Sequence, residues 1–398
     1  MTDRPLRIAH YLQRVRLEDG GVVRAVLDMC QVLAARGVSV TLLTVDSIDV
    51  PPQWLEGHPE APRVVQIDPP TRLGKLTASS EKIVLATLRD TDVLHIHIPW
   101  DTSNIRITQL ARQTGTPYII SVHGMLDDWC MAQKALKKRV YLALRGRRML
   151  EAAARVHCTA EAEMQQAQRW IGAGQPIVLP LIFDIEPFKA LPGPELARQS
   201  LSCLSEQHAN VLFLSRLHLK KGPEHLIDAA AILQRRGHTI NVILAGPGEP
   251  DYIDRLRKVA TDRGLSDRIH FPGMITGELK LSLYQAADIF ALPSSQENFG
   301  LVFPEAMACG TPVITTRGVD IWRELEKGGA FIVPPTGEAF ANAIEQLLTN
   351  PTDRHARGER SRAFIFQWLA PDHVADQYIT VYRDIVNQSS PAARHPTA

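Results

Sequence analysis

Two glutamates, Glu297 and Glu305, bracket a stretch reading ENFGLVFPE, with seven residues between them. A carboxylate accepts two hydrogen bonds and suits the vicinal diol of a ribose or a hexose. Pro304 is tolerated only in the first turn of a helix, so the helix carrying Glu305 is expected to start near Val302. The amides of Phe299, Gly300 and Leu301 then lack helical partners and are placed to receive an anion. Gly300 also lets a ligand approach the backbone closely. An anion-accepting helix start between two diol-accepting carboxylates describes a sugar-nucleotide site. Each acid alone has a plainer reading, Glu305 as a complement to the helix dipole and Glu297 as a solvated loop charge. The combination is what favours a ligand.

Cleaving a sugar–nucleotide bond leaves a diphosphate whose growing charge must be neutralised. Arg216 and Lys221, in the segment LFLSRLHLKKG, offer a two-pronged guanidinium and a point charge for it. A solvated basic loop is the bland alternative. The metal-binding alternative, an Asp-x-Asp pair, occurs only at Asp90-Thr91-Asp92. That triplet precedes a strand-like run instead of following it, so a turn role is expected, with no metal and no cofactor. Gly246 opens a glycine turn (GPGE) after an apolar run, and Ile275 closes the stretch FPGMI. Gly20 and Gly21 lie between the first strand and the first helix, a natural approach loop. His123, at a strand end before Gly124, is expected to project its imidazole into a ligand cleft, with a satisfied core histidine as the plainer alternative. His95 and His97 alternate on one strand and read as packing or cleft-lining groups.

These residues need a scaffold, and the pattern supplies one. Apolar runs at 6–12, 38–45, 92–98, 117–122 and 155–158 alternate with helical stretches, and a Pro-rich linker covers 179–194. A second alternating set follows, with strands expected at 210–215, 239–245, 269–272, 289–293, 311–315 and 330–333, and a closing helix at 372–387. Such alternation implies two successive doubly wound α/β domains with parallel sheets. We expect an N-terminal, acceptor-binding domain over 1–185, a nucleotide-sugar-binding domain over 205–371, and a C-terminal helix and tail over 372–398, the last residues frayed. Ligands of such sheets bind at the carboxyl ends of the strands, here in the cleft between domains.

Composition narrows the class further. The chain has 398 residues with 45% hydrophobic and 22% charged residues, and 44 Lys plus Arg against 43 Asp plus Glu. That balance gives no argument for nucleic acid as a partner. The five cysteines are scattered, which suggests neither a disulfide framework nor a zinc site and points to a reducing cytosol. The polar N-terminus leads straight into a strand-like run, so no signal peptide is expected, and no apolar stretch is long enough to span a bilayer. Residues 131–150 carry Lys134, Lys137, Lys138, Arg139, Arg145, Arg147 and Arg148 among apolar positions. Such a segment fits either a helix lying on anionic lipid or an ordinary solvated helix face. The cytosolic protein would in the first case sit at the inner face of the membrane.

The run ENFGLVFPEAMACGTPVI resembles the signature of the retaining GT-B glycosyltransferases of family four, also called group 1, and the likeness extends over almost the whole chain. The resemblance implies that Glu305 binds the nucleotide ribose and Glu297 the donor sugar, with the amides of Phe299, Gly300 and Leu301 facing sugar and diphosphate. It makes Arg216 and Lys221 the diphosphate ligands, although Ser215 stands where the family often has Gly. Gly246 would lie beside the nucleotide, Ile275 at the base, Gly20 and Gly21 under the donor, and His123 at the donor sugar near the reacting centre. Retention comes from the resemblance alone, with front-face departure and attack, so Glu297 positions and stabilises. The implied activity is a hexosyltransferase moving sugar from a UDP- or GDP-sugar to a glycan or lipid-linked oligosaccharide. The run GMLDDW (124–129) resembles bacterial members that build lipopolysaccharide or exopolysaccharide. A sugar-nucleotide epimerase of the same fold and a non-catalytic glycan- or nucleotide-binding relative are the alternatives.

Overall fold

The computed structural model describes residues 4–204 and 207–389, so the frayed tail from 390 and the expected domain start at 205 lie outside the described residues. The chain divides into two compact units, one formed by 1–184 together with 371–398 and the other by 185–370. The final helix, set apart by the sequence pattern, thus belongs with the N-terminal unit.

The first unit holds a seven-stranded parallel sheet. Its strands are β1 (Arg7–Tyr11), β2 (Ser39–Thr44), β3 (Arg63–Gln66), β4 (Val93–His97), β5 (Tyr118–Ser121), β6 (Arg155–Cys158) and β7 (Pro176–Val178), in the order β3-β2-β1-β4-β5-β6-β7. Central strands are buried on both faces, which is why they read as unbroken apolar runs. Edge strands β3 and β7 carry no such run, and β7 opens on a proline, which a strand tolerates at its first residue or on an edge. One face of the sheet packs Leu94, Ile96 and Ile120 against Leu110 and Val84. The other face packs Ile8, Val93 and Ile119 against Val26 and Leu33 of the helix Gly21–Ala35. The helix Pro371–Ser389 returns onto that second face, burying Val374, Tyr378, Tyr382 and Ile385 at three- and four-residue intervals. Its first turn is tied down by Arg36, whose guanidinium reaches Asp372 at 3.3 Å and also Asp376.

The second unit holds β8 (Ala209–Leu214), β9 (Ile240–Ala245), β10 (Ile269–Gly273), β11 (Ile289–Ala291), β12 (Val313–Thr315) and β13 (Phe331–Ile332), in the order β10-β9-β8-β11-β12-β13. Both sheets reverse their strand order once, between β1 and β4 and between β8 and β11. Loops diverge at such a reversal and leave room for a ligand at the carboxyl ends of the flanking strands.

Candidate functional site

In the second unit the reversal lies between the two segments singled out by their chemistry. Arg216 and Lys221 follow β8, and Glu297 follows β11. The Lys220 carbonyl links the two loops, accepting from the Ser295 amide at 2.9 Å and from the Ser295 hydroxyl at 3.0 Å. Glu297 is fixed on its other side, its amide donating to Gly318 at 2.8 Å and its carbonyl accepting from Asp320 at 2.9 Å. Gly318 is required here, because a Cβ would lie 2.5 Å from the Ser295 carbonyl oxygen. Held from both sides, Glu297 meets Lys221 in an ion pair. Burial, Lys220 and Arg216 push the Lys221 ammonium down to about 7. The carboxylate in contact with it acts the other way and favours the charged form.

The segment after β11 turns into the helix Val302–Ala308, with Pro304 in its first turn and no side chain capping it. Gly300 has φ +64, and a Cβ there would lie 2.8 Å from Glu297 Cγ and from the Phe303 ring. The amides of Phe299, Gly300 and Leu301 donate to no acceptor among the described residues. The Phe299 side chain is turned away, buried and stacked on Trp368 at 5.8 Å between ring centroids. That residue therefore offers a ligand only its backbone. Glu305 accepts from Lys280 at 2.7 Å and from the Tyr284 hydroxyl at 3.0 Å. These two partners, one turn apart on the helix Gly277–Ala286, orient the carboxylate.

Arg216 is exposed and has no hydrogen bond or ion pair among the described residues. Beside it Gly246, at φ +137, passes so close that a Cβ would stand 2.0 Å from the Ser215 carbonyl oxygen. The Gly246 amide donates to Gly273 at 2.7 Å, which draws the loop after β10, with half-buried Ile275, to the same sheet end. Glu297, Glu305, Arg216, Lys221, Gly246 and Ile275 thus all sit on loops or first turns that follow β8, β9, β10 and β11.

In the first unit, Gly20 has φ +109 and precedes the helix Gly21–Ala35, whose start has no side-chain cap. Two strand ends are strained. Ile98, directly after β4, has φ +68, and His123, two residues after β5, has φ +49. Non-glycine residues in this region cost about 1–3 kcal/mol and persist where surroundings enforce them, most often at functional sites. Buried Glu163 enforces the second, accepting from the amides of Gly124 and Thr159. His123 does not project freely. It is only 7% exposed, and its Nε2 lies 3.1 Å from His97 Nδ1. Its Nδ1, without a partner among the described residues, is not among the enclosed polar atoms.

Behind His123 lies a polar seam through the sheet. His97 Nε2 is 3.0 Å from His10 Nδ1, which makes a row of three rings. A second row has its direction fixed by a carbonyl. His157 Nε2 must donate to Leu179 O at 2.9 Å, so its Nδ1 accepts from the Ser121 hydroxyl at 2.6 Å. Ser121 in turn accepts from His95 Nε2 at 2.6 Å, and His95 Nδ1 accepts from the Tyr382 hydroxyl at 2.7 Å. Tyr378, near His157 at 3.0 Å, donates to Pro180 O at 3.0 Å. This row fastens the returning helix to the sheet. Burial pushes His10 and His123 down to about 3 and His157 to about 4, and holds His95 and His97 well below the ordinary value, so the seam is neutral. Ligand atoms of His10, His95 and His97 gather within 4.8 Å, a metal-like grouping. Both nitrogens of His95 are already engaged, so the grouping reads as the meeting of two hydrogen-bonded rows.

Asp92 accepts from the Arg7 amide at 3.0 Å and pairs with the guanidinium groups of Arg4 and Arg7 at 2.9 Å, and Asp90 also pairs with Arg7. The Asp-x-Asp triplet therefore joins the amino ends of β1 and β4. The basic stretch is not one helix from Met131. Lys134, at φ +51, breaks it, and the helix Ala135–Tyr141 continues through a π-helical turn, Leu142–Gly146, into Arg147–Glu151. Lys138 faces inward, donating to Cys130 O at 2.6 Å and lying 5.1 Å from the Trp100 ring centroid. Lys280, Tyr284, Glu163 and His10 escaped the sequence reading. The four-residue spacing of Lys280 and Tyr284 was the available signal; a lone buried His10 or Glu163 gives none.

Two parallel α/β units, each with its chemistry-bearing loops at the strand-order reversal, make up the GT-B architecture of glycosyltransferases. Two family models match in succession, the glycosyl transferase 4-like domain over residues 20–181 and glycosyl transferases group 1 over residues 203–364. The chain belongs to the group 1 glycosyltransferases. The D-inositol 3-phosphate glycosyltransferase of Corynebacterium urealyticum is 35% identical over 229 residues, which is 54% of this chain and 52% of that protein. The match thus spans about half the length of that relative. The enzyme of the same name from Thermomonospora curvata is 26% identical over 407 residues, 93% of each chain. Among solved structures, Anabaena HepE with UDP and glucose matches with TM-score 0.75 at 23% identity, covering 95% of this chain and 100% of that one. Sucrose-phosphate synthase from Thermosynechococcus elongatus matches with TM-score 0.75 at 24% identity, covering 96% and 99%. At these identities the structural likeness is one of fold.

Proposed function

We propose that this chain transfers a hexose from a UDP- or GDP-sugar to a glycan or lipid-linked oligosaccharide, retaining configuration and using no metal, in the assembly of a bacterial surface polysaccharide. The observation that carries this reading is the Lys221–Glu297 ion pair beside the unpartnered amides of residues 299–301. Lys221 and unpaired Arg216 supply the charge that a departing nucleoside diphosphate needs, and preorganised donors of this kind act on the transition state at no reorganisation cost. Glu305, oriented by Lys280 and Tyr284, takes the ribose diol, and Glu297 takes the hydroxyls of the sugar. His123, Gly20 and Gly21 are assigned to the donor on the family resemblance. The relatives' names support a glycosyl transfer, and the HepE structure with UDP and glucose supports the donor class. The test is release of nucleoside diphosphate from a panel of sugar nucleotides with and without glycans, with the product anomer read by NMR. Acceptor-dependent release with retention is expected. Isomerised donor would mark an epimerase, and binding without turnover a non-catalytic relative.

The acceptor reading rests on the segment after β5. No helix of the described residues is long and apolar enough to cross a membrane. Leu136, Val140 and Leu144 recur every fourth residue and are 79%, 48% and 68% exposed. Lys137, Arg139, Arg145, Arg147 and Arg148 surround that stripe. An apolar stripe ringed by cations suits an anionic lipid surface, where a lipid-linked acceptor resides. Co-sedimentation with anionic but not neutral liposomes is expected, and Leu136→Glu with Leu144→Glu should abolish it. Equal sedimentation with both lipids would remove the membrane reading.

A further inference from the structure

We infer that His97 and His10 are positioning residues that lock the tautomer of His123, so that the ring presents an Nδ1–H donor at the carboxyl end of β5. This rests on the reading that His123 meets the donor sugar. The row His10–His97–His123 has two nitrogen-to-nitrogen contacts, at 3.0 and 3.1 Å. Each contact is a hydrogen bond only if one proton lies between the two nitrogens. The three rings are buried and neutral, so each brings a single proton. His97 carries its proton on one side and must accept on the other. All protons in the row therefore point the same way, and the state of one ring sets the other two.

The inner end of the row decides the direction. His10 Nε2 is enclosed and has no partner among the described residues. With protons pointing inward, that atom would be an N–H sealed away from any acceptor, a rarer defect of protein interiors than a bare lone pair. With protons pointing outward, it is a bare lone pair, and each ring keeps its proton on Nδ1. His97 then donates to His123 Nε2, and His123 holds its proton on the nitrogen that the protein leaves unpartnered. His123 in this state donates to a sugar hydroxyl and has no vacant acceptor there, which makes it a sugar-holding group rather than a base. The neighbouring row cannot interfere, because the Leu179 carbonyl fixes it and no hydrogen bond joins it to the first among the described residues.

The test is histidine tautomer assignment by long-range proton–nitrogen NMR on the full chain labelled at its 14 histidines. The signals of each ring are identified by through-bond correlation from its own backbone and Cβ resonances, which needs no variant. We expect His10, His97 and His123 all to be protonated at Nδ1 and bare at Nε2, with His95 and His157 protonated at Nε2. In His97→Asp, whose carboxylate can only accept, His123 should lose this fixed state and become protonated at Nε2. Mixed tautomers among the three rings of the wild-type chain, or protonation at Nε2 in all three, would overturn the inference even if no variant folds. So would a His123 pattern unchanged in folded His97→Asp. Added UDP-sugar reads the other assumption separately. A His123 signal that does not move, with the wild-type pattern intact, would remove the sugar contact and leave the lock standing.

Discussion

Lowering the pH from 7.5 to 5.5 should cost the N-terminal unit a large part of its stability, because its sheet is seamed with neutral histidines. His10, His95, His97, His123 and His157 all titrate below the ordinary value of 6.5 when folded, and burial is the main cause for each. A depressed folded pKa means that the unfolded chain binds more protons as the pH falls below about 6.5. The stabilisation is complete above that value and is lost on the way down towards about 3 for His10 and His123 and about 4 for His157. One pH unit below 6.5, each ring has cost about 1.4 kcal/mol, so the five together reach about 7 kcal/mol at pH 5.5. Asp28 and Asp101, which burial raises to about 6, act in the opposite sense. They return about 1–2 kcal/mol at the same pH, leaving a net loss of about 5 kcal/mol, comparable to the whole stability of many domains. The assay is urea unfolding at pH 7.5, 6.5 and 5.5, read by tryptophan fluorescence in a Trp322→Phe, Trp368→Phe background that silences the other unit. His10→Phe should reduce the slope by one proton, about 1.4 kcal/mol per pH unit. A loss below about 2 kcal/mol between pH 7.5 and 5.5, or an unchanged slope in His10→Phe, would refute the neutral seam.

The donor site gives three sharper tests. Glu305→Ala removes the carboxylate proposed to accept two ribose hydroxyls and should weaken nucleotide binding by about 2–4 kcal/mol, or 30- to 800-fold by titration calorimetry; unchanged affinity would end the ribose assignment. Lys221→Met and Arg216→Ala should each lower kcat/KM by about 100- to 1000-fold. Only Lys221→Met should also lower the melting temperature, because it strands Glu297, and a melting loss in Arg216→Ala would contradict its unpartnered state. Gly300→Ala places a Cβ 2.8 Å from Glu297 Cγ and the Phe303 ring at φ +64, so differential scanning fluorimetry should show a destabilised second unit. Wild-type melting and wild-type donor affinity in that variant would show that the loop is more compliant than its geometry implies.

Much of the fold was legible because parallel strands covered on both faces must be written as apolar runs. Strands β1, β2, β4, β5, β6 and all six of the second unit fall on such runs to within a few residues at either end. β3 and β7 escaped because edge strands need only half that signal, and β7 is three residues long and opens on a proline, which weakens a strand signal further. The return of the helix Pro371–Ser389 to the first unit was illegible for another reason. Its spacing of Val374, Tyr378, Tyr382 and Ile385 declares that one face is buried, but no periodicity says against which sheet. That choice is made by Tyr382 and Tyr378 reaching His95 and His157, more than two hundred residues back along the chain.

The candidate site divides along the same line. Its acids, glycines and cations were readable because each is a residue type with a local duty: Pro304 dates the helix start, Gly300 admits φ +64, and Lys221 and Arg216 follow a strand. What joins them was not readable, since it runs through backbone atoms and distant partners. Lys220 acts through its backbone: its carbonyl ties the loop after β8 to the loop after β11 and so brings Lys221 onto Glu297. His123 looked like a free imidazole at a strand end, yet the HIH motif of β4 lies one strand over and His10 lies two. Strand order, not sequence spacing, places those rings in one row, and the row determines what His123 can offer a ligand. A motif names the groups that touch a substrate; the state in which they touch it is set by neighbours that only the assembled sheet supplies.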